Sequence, residues 1–190
     1  MKSKDIFTLM INPFTRIAGL QAFGLGIVFI TLMGVIGSYS NVIFDGTIDL
    51  HISNQMSLVR SFSYLGIDIF CLVITMWISS LLVSKNFRFV DILGTMTLSK
   101  APLLIFVVAA LFVTTPNMQE IAIHPMEILH YKSFLAISIL LLPLLVWNFT
   151  LMVNALKVSC DLKGTKLAIT FILSILVSEI GSKILISVLL

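Results

Sequence analysis

The sequence predicts an all-α fold: a polytopic transmembrane helical bundle of five spans, with the N-terminus cytoplasmic and the C-terminus outside. Three observations carry that reading. Hydrophobic residues make up 58% of the 190-residue chain and charged residues only 11%, with a mean hydropathy of +1.11, whereas a soluble domain carries about 25% charge. The apolar residues gather into five runs, four of them near the roughly 20 residues that a bilayer-crossing helix needs. The basic residues concentrate in alternate gaps between those runs, the bias that marks cytoplasmic segments.

Residues 1–16 are a short cytoplasmic lead, in which Ile6, Phe7, Leu9, Met10 and Ile11 precede Pro13 as an interfacial amphipathic segment. Lys2 and Lys4 before an apolar run imitate a secretory signal. The first long run, Ile17 to Ser38, spans about 22 residues, longer than the roughly 7–15 of a signal core, and is read as an uncleaved first span. The five-helix domain covers 17–190, with spans at about 17–38, 62–83, 96–115, 134–153 and 167–190.

Span 1 places Ala18, Ala22, Gly26, Gly34 and Ser38 on one row at helical spacing, a surface of small residues that lets a second helix approach closely. Packing inside the bundle is the expected use; homodimerisation is the alternative. Span 3 is the irregular one. Its clean apolar stretch, Ala101 to Val113, is too short to cross and must borrow Met96 to Lys100. Lys100 would then sit about one turn inside and snorkel to the cytoplasmic interface. The preceding Asn86 to Leu98 alternates apolar and polar residues and reads as lying along the membrane surface, and Pro102 marks a kink or a helix start.

Charge tests this layout. The cytoplasmic segments hold Lys2, Lys4, Arg16, Lys85, Arg88, Lys100, Lys157, Lys163 and Lys166, nine of the twelve basic residues. Arg60 and Lys132 lie in the outer loops beside Asp45, Asp49, Glu120 and Glu127. Tyr39, Tyr64 and Tyr131 fall near outer span ends, and Trp77 and Trp147 in inner halves, as interface-seeking aromatics do.

Ionisable residues inside a membrane are costly and face a bundle interior or a cavity. Three qualify: Asp68 in span 2, and Glu179 and Lys183 in span 5, the last two on one helix face in the favourable acid-before-base order. Counted from Phe62 and Leu190, Asp68 and Lys183 both lie roughly 9–11 Å below the outer surface, so the sequence predicts that they pair. Each host helix also carries a polar stripe, Thr170, Ser174, Ser178 and Ser182 in span 5, and Asp68, Thr75 and Ser79 in span 2. The cluster serves either a solute or proton pathway or a charge-paired bundle interior.

Little else points to chemistry. His124, Glu127 and His130 are spaced three apart and drift around a helix, unlike a zinc-protease pair; no metal site is expected, nor a cofactor. No nucleophile constellation or phosphate-cradling glycine loop is present, so the chain is not read as an enzyme. Cys71 and Cys160 are too few for a disulfide framework, and one is placed within the membrane and the other in a cytoplasmic loop. The scattered basic residues form no nucleic-acid surface. Asn148-Phe149-Thr150 fits a glycosylation pattern but lies inside span 4.

With the spans placed, the chain resembles the YIP family of Ypt/Rab-interacting membrane proteins, in its bacterial form. The likeness covers nearly the whole chain and rests on Asn12-Pro13-Phe14 before span 1, on Ile92-Leu93-Gly94 followed by Pro102, and on Trp147 to Ala168 with Asn154-Ala155-Leu156-Lys157 and Lys166-Leu167-Ala168. Thr95 stands where a tyrosine often follows the family's glycine, and the long N-terminal region and Asp-Leu-Tyr-Gly-Pro motif of eukaryotic members are absent. The resemblance implies a membrane-embedded adaptor or organising subunit that works through protein partners, and the very short lead and lack of sorting signals point to a bacterial inner membrane. Its partner would be a membrane protein such as a transporter, or a second copy of the chain. The alternative is a small permease working through Asp68, Glu179 and Lys183.

Overall fold

A computed structural model describes residues 8–53, 55–84, 87–115, 123 and 125–190. It is all-α apart from one short hairpin, with five helical segments long and apolar enough to cross a membrane. In chain order the elements are α1 (Gly19–Ser40), β1 (Val42–Phe44), β2 (Leu50–Ile52), α2 (Leu58–Val83), α3 (Phe89–Ser99), α4 (Leu103–Ala110), α5 (Lys132–Cys160) and α6 (Gly164–Leu189).

Helix α1 ends at Asn41, whose left-handed backbone (φ 55°) suits a residue that tolerates that region at a helix C-terminus. Its buried row contains Ala22, Gly26, Ile30, Met33, Gly34 and Gly37. The small residues are used within the chain: a Cβ on Gly26 would stand 2.8 Å from the Leu98 nitrogen, and one on Gly34 2.7 Å from the Phe62 ring. On α3, Gly94 faces the Gly19 carbonyl in the same way. Packing is accordingly most extensive between α1 and α3, and next between α2 and α6.

Span 3 is α3 and α4 together. It begins at Phe89, earlier than expected, and breaks at Lys100–Pro102. Pro102 has no N–H, so the ladder tightens: Ala101 bonds the Leu98 carbonyl at 3.0 Å, and Leu103, Leu104 and Ile105 each bond three residues back. Of the stretch read as surface-lying, Phe89 to Leu98 is instead the first half of this span. Within Phe89–Ala110, 67% of the most apolar window is buried, against 22–33% in the other four spans. Span 3 is thus the centre of the bundle. That explains its mixed composition, because a helix surrounded by protein rather than lipid can hold Thr95, Thr97 and Ser99, each buried with its hydroxyl bonded to a carbonyl of the preceding turn.

The lead is tied to span 4. Trp147 Nε1 donates to the Met10 carbonyl at 2.9 Å and Asn154 Nδ2 to the Ile11 carbonyl at 3.0 Å, while Phe14 is buried in the core. Cys160 is not a loop residue. It closes α5, is buried, and its thiol approaches Ser80 Oγ at 3.2 Å. Both cysteines are free.

The segment between spans 1 and 2 was expected to be an outer loop. It forms an antiparallel hairpin with register Val42↔Ile52, Ile43↔His51 and Phe44↔Leu50. Val42, Phe44 and Leu50 are buried in a cluster with Leu65, Leu103, Phe106 and Val107, so the hairpin enters the bundle instead of lying over it.

Candidate functional site

Asp68 is on α2, ten residues from the helix start at Leu58, hence about 15 Å along the axis. Lys183 is six residues from Leu189, the last residue of α6, or about 9 Å. The expected Asp68–Lys183 pair does not form, because α2 starts earlier than the hydropathy of its first turn suggested and Asp68 lies deeper. The partner of Asp68 is Lys100, whose Nζ is 3.0 Å from Asp68 Oδ2, with side chains 1% and 0% exposed. Lys100 therefore does not snorkel. It stands at the break between α3 and α4, eleven residues from Phe89, and points into the bundle.

The hairpin tip closes over this pair. Lys100 Nζ donates to the Thr47 carbonyl at 2.7 Å, and the Thr47 and Ser178 hydroxyls share a hydrogen bond at 2.5 Å. The Ile48 N–H donates to Glu179 Oε2 at 2.9 Å. Lys183 bridges outward, 2.9 Å from Asp49 Oδ2 and 3.2 Å from Glu179 Oε1, with its side chain 46% exposed. Gly46 lies under the Glu179 carboxylate, and a Cβ there would fall 2.5 Å from Glu179 Oε1, so a larger residue would displace that side chain. Three consecutive hairpin residues, Thr47, Ile48 and Asp49, are thus bonded to spans 3 and 5. The structure brings Glu179 and Lys183 together as expected, and separates Asp68 from them by the hairpin.

Non-helical backbone at membrane depth is tolerated only where protein or water satisfies it, and here Lys100 and Glu179 supply those bonds. The polar stripe of α6, Thr170, Ser174, Ser178 and Ser182, is buried throughout; Ser178 reaches the hairpin, while Ser174 and Ser182 bond carbonyls of their own helix. On α2 the buried polar residues are Ser61, Asp68 and Ser80, the last bonded to the Met76 carbonyl at 2.7 Å, while Thr75 and Ser79 are half-buried.

Among the described residues, neither carboxylate oxygen of Asp68 accepts a hydrogen bond of good angle, and Asn148, fully buried at mid-span in α5, has no partner for either side-chain atom. In the sequence Asn148 stands out only as part of a glycosylation pattern, Asn148-Phe149-Thr150. A lone amide in the middle of a span was itself the signal. Lys100 and Thr47 were missed for different reasons, the first assigned to an interface and the second to a loop. Of the histidine cluster, His124 lies outside the described residues, and Glu127 and His130 sit in a 3₁₀ turn, Pro125–His130. Among the described residues no three His, Cys, Asp or Glu side chains gather as a metal site.

Chemically, the arrangement is a neutralised acid–base pair with its lysine shared between a carboxylate and a peptide carbonyl, closed by a second ion pair nearer the surface. Compared with known protein families, curated proteins and solved structures, the chain finds no match in any of the three.

Proposed function

We propose that this chain is an integral membrane adaptor or accessory subunit of the bacterial inner membrane, with its N-terminus cytoplasmic and C-terminus outside, acting through a membrane-protein partner. The observation that carries this reading is the closure of the interior charge: Asp68 is matched by Lys100, and Lys183 by Asp49 and Glu179. Ionisable groups that pair with one another within one chain meet the cost of their place in the membrane without a bound solute. The YIP resemblance points the same way, towards work done by contact. Charge distribution supports the orientation even with Lys100 removed from the cytoplasmic set, since eight of the twelve basic residues remain there.

The test is gentle solubilisation of the tagged full chain at native expression level, with mass spectrometry of what co-purifies. A stoichiometric membrane-protein partner supports the adaptor. A chain that emerges alone and monodisperse, and that drives solute uptake in proteoliposomes which the double substitution Asp68→Asn/Lys100→Gln abolishes, replaces it with the permease.

A further inference from the structure

We propose that the hairpin Val42–Ile52 is a releasable plug, held shut by a polar latch to α6, and that its release opens a water-accessible recess ending at Asp68 and Lys100. The inference goes beyond the adaptor reading and gives the subunit a moving part.

Two opposing contributions make the plug poised. Closure buries Val42, Phe44 and Leu50 and forms the Thr47, Ile48 and Asp49 bonds. Closure also strips water from Asp68 and Lys100, and a buried ion pair regains its desolvation cost only with excellent geometry and full hydrogen bonding. Asp68 lacks that, because neither of its oxygens accepts a well-aligned hydrogen bond among the described residues. Opening therefore rehydrates Asp68, whose ionic partner in the closed state is Lys100, 3.0 Å away.

The hairpin is built for separation from the bundle. Its strands are three residues each, too short for independent stability, so it depends on what it docks against. The docking bonds nearest the surface are exchangeable with water, since Asp49 and Lys183 are 43% and 46% exposed. Its two stems are tied at one residue: Asn41 accepts from Ser53 N through its carbonyl and from Met56 N through its side chain, at 2.7 and 2.9 Å. Release at the tip leaves that anchor intact, which makes Asn41 the pivot.

The experiment is thiol labelling of the full chain with Cys71 and Cys160 replaced, using a small membrane-impermeant methanethiosulfonate on intact cells. The reporter is Leu65→Cys, a buried position about one turn above Asp68 and packed under the hairpin. Labelling should be slow in the parent and about two- to fivefold faster with Glu179→Gln or Lys183→Gln, the factor a half-exposed ion pair is worth. It should stop when Thr47→Cys and Ser178→Cys are oxidised to a disulfide, and resume on reduction. Equal rates in parent, latch variants and cross-linked protein, or no labelling in either latch variant, overturn the plug. Should the cysteine pair fail to fold, the two latch variants at partly exposed positions still decide it. Tyr39→Cys, 76% exposed at the same end of α1, reports the orientation separately; if it labels only in inverted vesicles, the orientation is reversed and the plug is tested from that face.

Discussion

At the scale of single residues, Lys100 decides how the centre of this protein is held. A lysine at mid-span is tolerated only with its charge matched, and removing one member of a buried pair leaves the other uncompensated at about 3–5 kcal/mol. Lys100→Met or Asp68→Leu alone should lower the thermal stability of the detergent-solubilised protein by that order. The double variant Asp68→Leu/Lys100→Met should recover most of the loss or exceed the parent, because well-packed apolar replacements of buried pairs are often neutral or stabilising. Exchanging the charges, Asp68→Lys with Lys100→Asp, should restore folded protein where the same exchange between Asp68 and Lys183 does not. Size-exclusion profiles after heating read all of these. Sequence reasoning found Asp68 because an acid inside an apolar run is conspicuous. It misplaced Lys100 because a base beside a short run reads as a boundary, and only burial distinguishes a boundary from a centre.

At the scale of elements, close backbone contact ties α1 to span 3. Gly26→Ala and Gly94→Ala should each destabilise by about 1–3 kcal/mol, the cost of overpacking a site that cannot move aside. Gly24→Ala and Gly66→Ala, with nothing within 4 Å of the added methyl, should not. A thermal series in detergent separates the two sets. The centre of the small-residue row in span 1, Ala22, Gly26 and Gly34, was legible from spacing, although Ala18 stands exposed before the helix and Ser38 is only half-buried. Spans 1, 2 and 5 were legible within about four residues at each end, while span 4 runs on to Cys160, seven residues past its expected end. Hydropathy finds helices that face lipid. It therefore failed on the one helix that faces protein, where Thr95, Thr97, Ser99 and Lys100 are admitted. The hairpin had a readable signal too, since Asp45-Gly46 lies between Val42-Ile43-Phe44 and Leu50-His51-Ile52, and an Asp-Gly pair between apolar runs favours a tight reversal. Its place inside the bundle was not readable, because it depends on Lys100 and Glu179 from distant parts of the chain.

At the scale of the whole molecule, orientation decides which compartment the hairpin and the loop between α5 and α6 face. Asp161→Cys, at a position whose native side chain is 85% exposed between α5 and α6, should resist an impermeant thiol reagent in intact cells and label once the membrane is permeabilised. The reverse pattern would turn the protein over and remove the charge argument for an inner-membrane N-in topology. The Asp68–Lys100 pair has a further consequence, for synthesis. Its members lie in consecutive spans, so the second span leaves the ribosome with an unmatched acid until the third arrives. The two must enter the bilayer as one helical pair, with the exposed Arg88 remaining behind at the membrane surface. The hairpin, made before either, has no bonding partner on α6 until the last span is complete. A nascent chain arrested after Cys160 should therefore already be inserted, yet remain sensitive to protease between Val42 and Ile52, and completion of the final helix is the step that ends that exposure.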